Sequence, residues 1–212
     1  MEEVCTMKRL SWLFALALGM GVAQAAPEEM VHYEAIDPPV AVDAAAGEVV
    51  VQELFWYGCG HCHHFEPTLN AWLAKKPANV RFERIAVALN PGWAPLSKAY
   101  YALRQLGMAE KVHAALFDAV QKEHRPLGTP EQIADFVAAQ GVDREAFLKA
   151  YNSFAVDGEV RKGMQLVRQY GINGVPAMIV QGKYRTSGSL AGANAKMVEV
   201  VDALIAMETG AR

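Results

Sequence analysis

The sequence predicts an α/β fold interrupted by an all-helical insertion. Three observations carry that expectation. A β-branched and aromatic run at 48–57 leads into a helical pattern and then a second strand at 80–89. Residues 94–171 are helical throughout, and strand character returns only at 176–186, before one last helix. The order β-α-β, helices, β-β-α puts a helical unit between two halves of one sheet domain. Residues 26–93 and 172–212 are expected to form the discontinuous sheet domain, 94–171 the insertion, and 1–25 a leader.

The leader comes first. Lys8 and Arg9 precede an apolar run from Leu10 to Val22, and Ala23-Gln24-Ala25 supplies a small-residue cleavage pattern. This reads as a secretory signal peptide cut after Ala25. The competing reading is a membrane anchor, but the run falls short of the roughly 20 residues a span needs. Glu2 and Glu3 weaken a basic start, so Met7-Lys8-Arg9 makes a better one than Met1. Cleavage would remove Cys5 and leave Cys59 and Cys62 as the only pair. No second long apolar segment follows, so the exported chain is expected to be soluble, in an oxidising compartment.

Residues 26–47 form an extended lead around Asp37-Pro38-Pro39, with room for an early strand. Glu48–Tyr57 is nearly continuous in apolar character, as a central strand buried on both faces would be, with Gln52 and Glu53 as interruptions. A helix is expected from Cys62 to about Ala74, with Phe65, Leu69, Trp72 and Leu73 at helical spacing and Pro67 as a kink. Val80–Leu89 is the second strand, and Asn90-Pro91-Gly92 a turn. In the insertion, Pro95 suits a first helical position, and Leu96, Tyr100, Leu103 and Leu106 follow before Gly107. Val112, Leu116 and Val120 mark the next helix. Thr129-Pro130-Glu131-Gln132 combines a cap, a first-turn proline and a capping-box glutamine. Asp143 opens a short helix, and the last of the block runs from about Asp157 to Tyr170, closed by Gly171. Pro176–Gln181 and Tyr184–Thr186 form a hairpin across Gly182-Lys183, and Ala193–Met207 is the final helix.

The 212 residues are 52% hydrophobic and 20% charged, with Lys+Arg 20 against Asp+Glu 23 for a net charge of −3. That balance argues against a nucleic-acid binder or a polybasic membrane tail. The hydrophobic content is enough to build a core without disulfide staples.

Cys59-Gly60-His61-Cys62 stands where a buried strand meets a helix. A helix N-terminus offers free N–H groups and a partial positive charge, and His61 can add a charge or a donor. Each stabilises a thiolate at Cys59. The two-residue spacing holds the sulfurs within one helical turn, so Cys59 can exchange with an external disulfide while Cys62 resolves the mixed disulfide. Other readings of the same residues are haem attachment at Cys59-x-x-Cys62-His63, zinc held with His61, His63 and His64, and an inert structural disulfide. The first lacks a helical setting, the second a distant ligand pair, and the third closes too small a loop to stabilise much.

The segment Phe55-Trp56-Tyr57-Gly58-Cys59-Gly60-His61-Cys62-His63-His64-Phe65-Glu66-Pro67 resembles the active-site region of thioredoxin-fold disulfide oxidoreductases, and most closely the DsbA family. Gly174-Val175-Pro176-Ala177-Met178 looks like that family's cis-proline loop, and the helical block matches its inserted helical domain. The resemblance implies a thioredoxin-like fold with a helical insertion, and a periplasmic enzyme that introduces disulfides into exported proteins. It implies no cofactor beyond the Cys59–Cys62 pair. Unfolded client proteins and a DsbB-like membrane quinone reductase for reoxidation are its implied partners, the chain itself being a monomer that binds neither nucleic acid nor metal. Isomerase or reductase activity at the same site is the alternative, and a holdase that barely uses its thiols is a reading from another class. Val175 and Pro176 match the family's substrate-binding positions, where X–Pro bonds, otherwise seldom cis, are cis. Glu53 matches a buried acid under the site that could exchange a proton with Cys62, with Arg84 as its possible partner, although the strand pattern alone equally allows a solvated carboxylate. Gly60-His61 departs from the family's usual Pro-His and implies a less oxidising pair. Phe55, Trp56 and Tyr57 read as core and groove residues, and His63 and His64 as helix-surface polar groups.

Overall fold

A computed structural model describes residues 26–210. The expected leader and cleavage site at 1–25, with Cys5, lie outside the described residues. The strands are β1 (Glu34–Ala35), β2 (Val49–Phe55), β3 (Val80–Ala86), β4 (Ala177–Val180) and β5 (Tyr184–Ser187). The helices are α1 (Gly60–Leu73), α2 (Ala94–Gln105), α3 (Ala109–Gln121), α4 (Pro130–Ala139), α5 (Arg144–Tyr151), α6 (Phe154–Gln169) and α7 (Met197–Thr209). One sheet runs in the order β1-β5-β4-β2-β3. Only β2 and β3 are parallel, joined by α1 as a crossover. The antiparallel pairing of β2 with β4 joins the two parts of the sheet across the helices α2 to α6 that separate β3 from β4.

Local chemistry sets the boundaries. The β-branched Val49-Val50-Val51 favours the pleat, and every residue of β2 is buried. Strand β3 stops at Ala86 rather than Leu89, because beyond it the Val87 carbonyl accepts from Ser97 Oγ at 2.6 Å, which turns the chain toward α2. Both halves of the capping box at Thr129 and Gln132 are formed. Asp143 caps α5 through the Ala146 N–H at 2.7 Å. Helix α6 begins at Phe154, three residues before its expected start, because Ser153 Oγ accepts from the Val156 N–H and caps it there. Helix α1 begins at Gly60 rather than Cys62, with the Cys59 sulfur taking the place of a capping oxygen, and it runs through Pro67. The final helix starts at Met197, after a 3₁₀ turn over Asn194–Lys196.

The period-two alternation of a strand sends neighbouring residues of β2 to opposite faces. Val49 and Val51 pack with Phe65, Leu69 and Trp72 of α1 and with Val201, Leu204 and Ile205 of α7. Leu54 packs on the other face with Ile85, Ile179 and the α6 residues Val167 and Tyr170. A third cluster fills the helical block, and Phe55, Tyr57, Cys62 and Ala86 belong to it. The core of the block is therefore continuous with the strand and helix that carry the cysteines.

Candidate active site

Cys59 is the N-cap of α1, with extended backbone at φ −93°, ψ 112°. Its Sγ accepts from the Cys62 N–H at 3.3 Å and lies 3.4 Å from the Val175 carbonyl, to which a thiol hydrogen can donate. Both cysteines are free thiols, Cys59 half-buried and Cys62 fully buried. Their acidities are driven apart. A hydrogen bond from the Cys62 thiol, the N–H groups of Cys62 and His61, and the charge of His61 draw the Cys59 pKa down to about 6, against its partial burial. Burial, then the neighbouring Cys59 and Glu53, push the Cys62 thiol far up. Cys59 is thus the more accessible and more acidic thiol and Cys62 the buried one, as an attacking and resolving pair requires.

Val175-Pro176 is cis, and so is Asp37-Pro38. Pro176 is buried, Val175 half-buried and His61 exposed, with the His61 carbonyl accepting from Asn194 Nδ2 at 3.4 Å. Phe55 and Tyr57 are fully buried, whereas Trp56 is half-buried and stacks on Trp93 with ring centroids 4.0 Å apart and planes at 2°. The Trp56 indole lies over Gly58, where a β-carbon would come within 2.1 Å of the ring, so only glycine fits there. His64 is exposed, but His63 is half-buried, with Nε2 2.9 Å from Asp118 of α3.

Glu53 is fully buried on the α1 side of the sheet, directly opposite Arg84 in the parallel register. The solvated reading of Glu53 is therefore excluded. Its Oε2 lies 3.3 Å from Arg84 Nε, too poorly aligned for a hydrogen bond. Burial, with the nearby Glu66 charge, pushes its pKa up to about 8 against the pull of Arg84. Arg84 is shared: Nη2 lies 3.4 Å from Glu66 Oε2, and Nη1 3.1 Å from Glu110 Oε2. Glu66 Oε1 is 3.2 Å from His113 Nε2, and His113 Nδ1 is 2.8 Å from the Tyr57 hydroxyl. Burial works against the Glu66 charge, but His113, Arg84 and Asn70 outweigh it and hold its pKa below the ordinary carboxylate range.

Glu66, His113 and Gln121, whose Nε2 donates to the Tyr57 carbonyl at 2.8 Å, were not singled out by the motif. Two signals were available. Glu66 is one turn after Cys62 on the same helix. His113 lies three and four residues before Leu116 and Phe117, on the apolar face of α3. Among the described residues, no three His, Cys, Asp or Glu side chains converge as a metal site, and no helix is long and apolar enough to cross a membrane.

The family model for a DSBA-like thioredoxin domain matches residues 88–200. That stretch begins after the cysteine pair, so the match rests on the helical block and the cis-proline loop. The thiol:disulfide interchange protein DsbA of Burkholderia cepacia is 44% identical over 204 residues, covering 94% of this chain and 96% of that protein. The crystal structure of Pseudomonas aeruginosa DsbA superposes with a TM-score of 0.80 at 42% identity, covering 85% of this chain and 93% of that one. The oxidoreductase DsbA from Xylella fastidiosa gives a TM-score of 0.82 at 28% identity, covering 88% of this chain and all of that one, 100%.

Proposed function

Because the chain belongs to the DsbA family of the thioredoxin fold, we propose a division of labour among its residues in disulfide exchange. The protein is a disulfide oxidoreductase that introduces disulfides into substrate proteins. In our reading a client thiolate attacks Cys59 Sγ of the oxidised pair. The Cys59–Cys62 bond breaks, a bond from Cys59 to the client forms, and Cys62 leaves with the electron pair. Because burial disfavours a Cys62 thiolate, Glu53 hands it a proton. A second client thiolate then attacks the client sulfur, the client disulfide forms, and Cys59 departs as a stabilised thiolate. When Cys62 instead attacks a mixed disulfide, the same proton returns to Glu53.

His61 contributes charge beside Cys59. Val175 and Pro176 present backbone to an extended client segment, which binds by strand-like pairing with little demand on sequence. The observation that carries this reading is the placement of two cysteines three residues apart, one half-buried and capping a helix, the other fully buried on the sheet face that also buries Glu53.

Around that centre we place 26–93 and 172–212 as the thioredoxin-like domain and 94–171 as its helical insertion. The enzyme works as a periplasmic monomer after loss of residues 1–25, and it needs no cofactor or metal beyond its cysteine pair. Its clients are unfolded exported proteins, and a DsbB-like membrane quinone reductase restores its disulfide. The test is the redox equilibrium of the purified protein with glutathione, together with oxidation of a reduced dithiol peptide. Cys59→Ser should reduce peptide oxidation to background while thermal stability holds. Full client protection by Cys59→Ser, with no peptide oxidation by the parent protein, would favour the holdase.

A further inference from the structure

We propose that His113, supplied by the helical block, is a positioning residue for exchange: it neutralises Glu66 and so leaves Arg84 to serve Glu53 beneath Cys62. The inference rests on the reading of Glu53 as the proton partner of Cys62.

The argument begins with a count of charges. Glu53 is 0% exposed, Glu66 8% and Arg84 5%. Two buried carboxylates therefore share one buried guanidinium. Glu110 also reaches Arg84, but its own side chain is 79% exposed, so water already solvates it. A buried anion without a counter-charge is expensive, on the order of several kcal/mol. His113 is the remaining group placed to supply one. It is buried, its Nε2 faces Glu66 Oε1 at 3.2 Å, and its Nδ1 faces the Tyr57 hydroxyl at 2.8 Å. With both ring nitrogens protonated, the imidazolium stands between Glu66 on its Nε2 side and the Tyr57 hydroxyl on its Nδ1 side.

The surroundings agree with that assignment. The groups facing His113 are Glu66 from α1, Phe55 and Tyr57 from β2 and the turn after it, and Phe117 from α3 itself. Arg84 of β3 lies beyond Glu66, and Tyr100 of α2 donates to the Arg84 carbonyl rather than to the ring. Among the described residues, Glu66 is the one carboxylate paired with the imidazole. Among the described residues, the buried side-chain nitrogen and oxygen atoms without an aligned hydrogen bond are both oxygens of Glu53, Glu66 Oε1, Arg84 Nε and His113 Nε2. All five belong to this cluster. It is held by charge more than by hydrogen-bond geometry, so a change of one charge is felt by the rest.

If His113 loses its charge, Glu66 draws more of Arg84. Glu53 then holds its proton more tightly, so below its midpoint a smaller fraction of it is ionised and free to take one from Cys62. The step itself is unchanged: the Cys62 S–H bond breaks as the Glu53 O–H bond forms, the Cys59–Cys62 bond forms, and the client sulfur leaves with its electron pair.

The experiment follows the pH profile of Cys62 attack on a mixed disulfide between Cys59 and glutathione, read by release of glutathione from the full-length protein. His113→Gln keeps a hydrogen-bonding side chain but no charge. It should move the midpoint up by about one pH unit, which is a tenfold slower release at pH below the midpoint. Adding Glu66→Gln to that variant removes the surplus anion and should bring the midpoint back. A His113→Gln profile that superimposes on the parent, or a double variant that stays shifted, overturns the proposal. Glu53→Gln in the same assay separates the two levels. If it flattens the profile and His113→Gln does not shift it, only the role of His113 falls. If it leaves the profile untouched, the Glu53 reading falls and takes this one with it. Ring ¹⁵N shifts of His113 in the unmodified protein give an answer even if a variant fails to fold: an imidazolium supports the proposal, and a neutral single tautomer at the working pH refutes it.

Discussion

The α1 face of the sheet has two ends built from the same strands and helix but from opposite chemistry. At one end Val49, Val51 and Val180 meet Phe65, Leu69 and Trp72 with no charge among them. At the other, two or three residues further along the same strands, Glu53, Arg84 and Glu66 are buried together with Tyr57 and His113. Apolar burial stabilises at roughly 25 cal/mol per Å², whereas buried ions recover their desolvation cost only when geometry is very good. The cluster's geometry is imperfect, so the difference teaches a division of roles. The apolar end holds the fold, and in the proposed mechanism the charged end serves the cysteines.

That division can be broken most severely at the apolar end. Leu69 is fully buried, and Leu69→Ala should cost about 2–5 kcal/mol of stability by losing burial and leaving a cavity. Chemical denaturation measures the loss, and the glutathione equilibrium of the folded fraction should not move. Equal redox disturbance there would erase the distinction between the ends. Glu53→Gln is the complementary change. It should slow Cys62 attack on a mixed disulfide by about 100-fold, the low end of what general acid–base catalysis supplies, while the melting temperature stays level or rises. A clear drop in melting temperature would make Glu53 a structural residue.

Titration gives the smallest and most diagnostic effect. The folded-state pKa of Glu53 is raised to about 8, so the folded protein holds a proton that the unfolded chain has lost. Its contribution is complete below the ordinary carboxylate pKa and disappears as pH rises through about 8. Cys59 runs the other way. Its folded pKa is lowered to about 6, so its contribution is present above the ordinary thiol pKa and disappears as pH falls through about 6. Only the reduced protein carries the second effect. Between about pH 6 and the ordinary thiol value, the reduced form should gain stability on the oxidised form as pH rises. Unfolding curves of both forms at several pH values check the sign, and Glu53→Gln should remove the slope of the oxidised form.

Much of this arrangement could be read from the residues in order. The central strand and the helical run were visible because long periodic segments carry their own signal, and Thr129 with Gln132 announced a capping box that forms as written. The cysteine pair could be read because its spacing is local. What stayed hidden depends on register. Glu53 lies in a strand buried on both faces, where alternation has no polar side to mark, so its burial and its pairing with Arg84 were expected from the family resemblance alone, and the alignment of β2 with β3 supplies the reason. His113 meets Glu66 across two helices 47 residues apart in sequence, a contact no window contains. The boundary misses at β3 and α6 have the same origin. Ser97 captures the Val87 carbonyl from ten residues away, and Ser153 caps α6 ahead of its first apolar positions.

The shared core of the helical block has a consequence for modularity. In the chain, 94–171 reads as a cassette dropped between two strands. In space, its side chains are the wall behind Phe55, Tyr57 and Cys62, all at 0% exposure. Excising it would leave a connected sheet and would open the resolving thiol to water, where burial, the largest cause of its suppressed ionisation, is gone. A trimmed protein of that kind could keep both cysteines and lose the asymmetry between them. The insertion is detachable as sequence but not as chemistry.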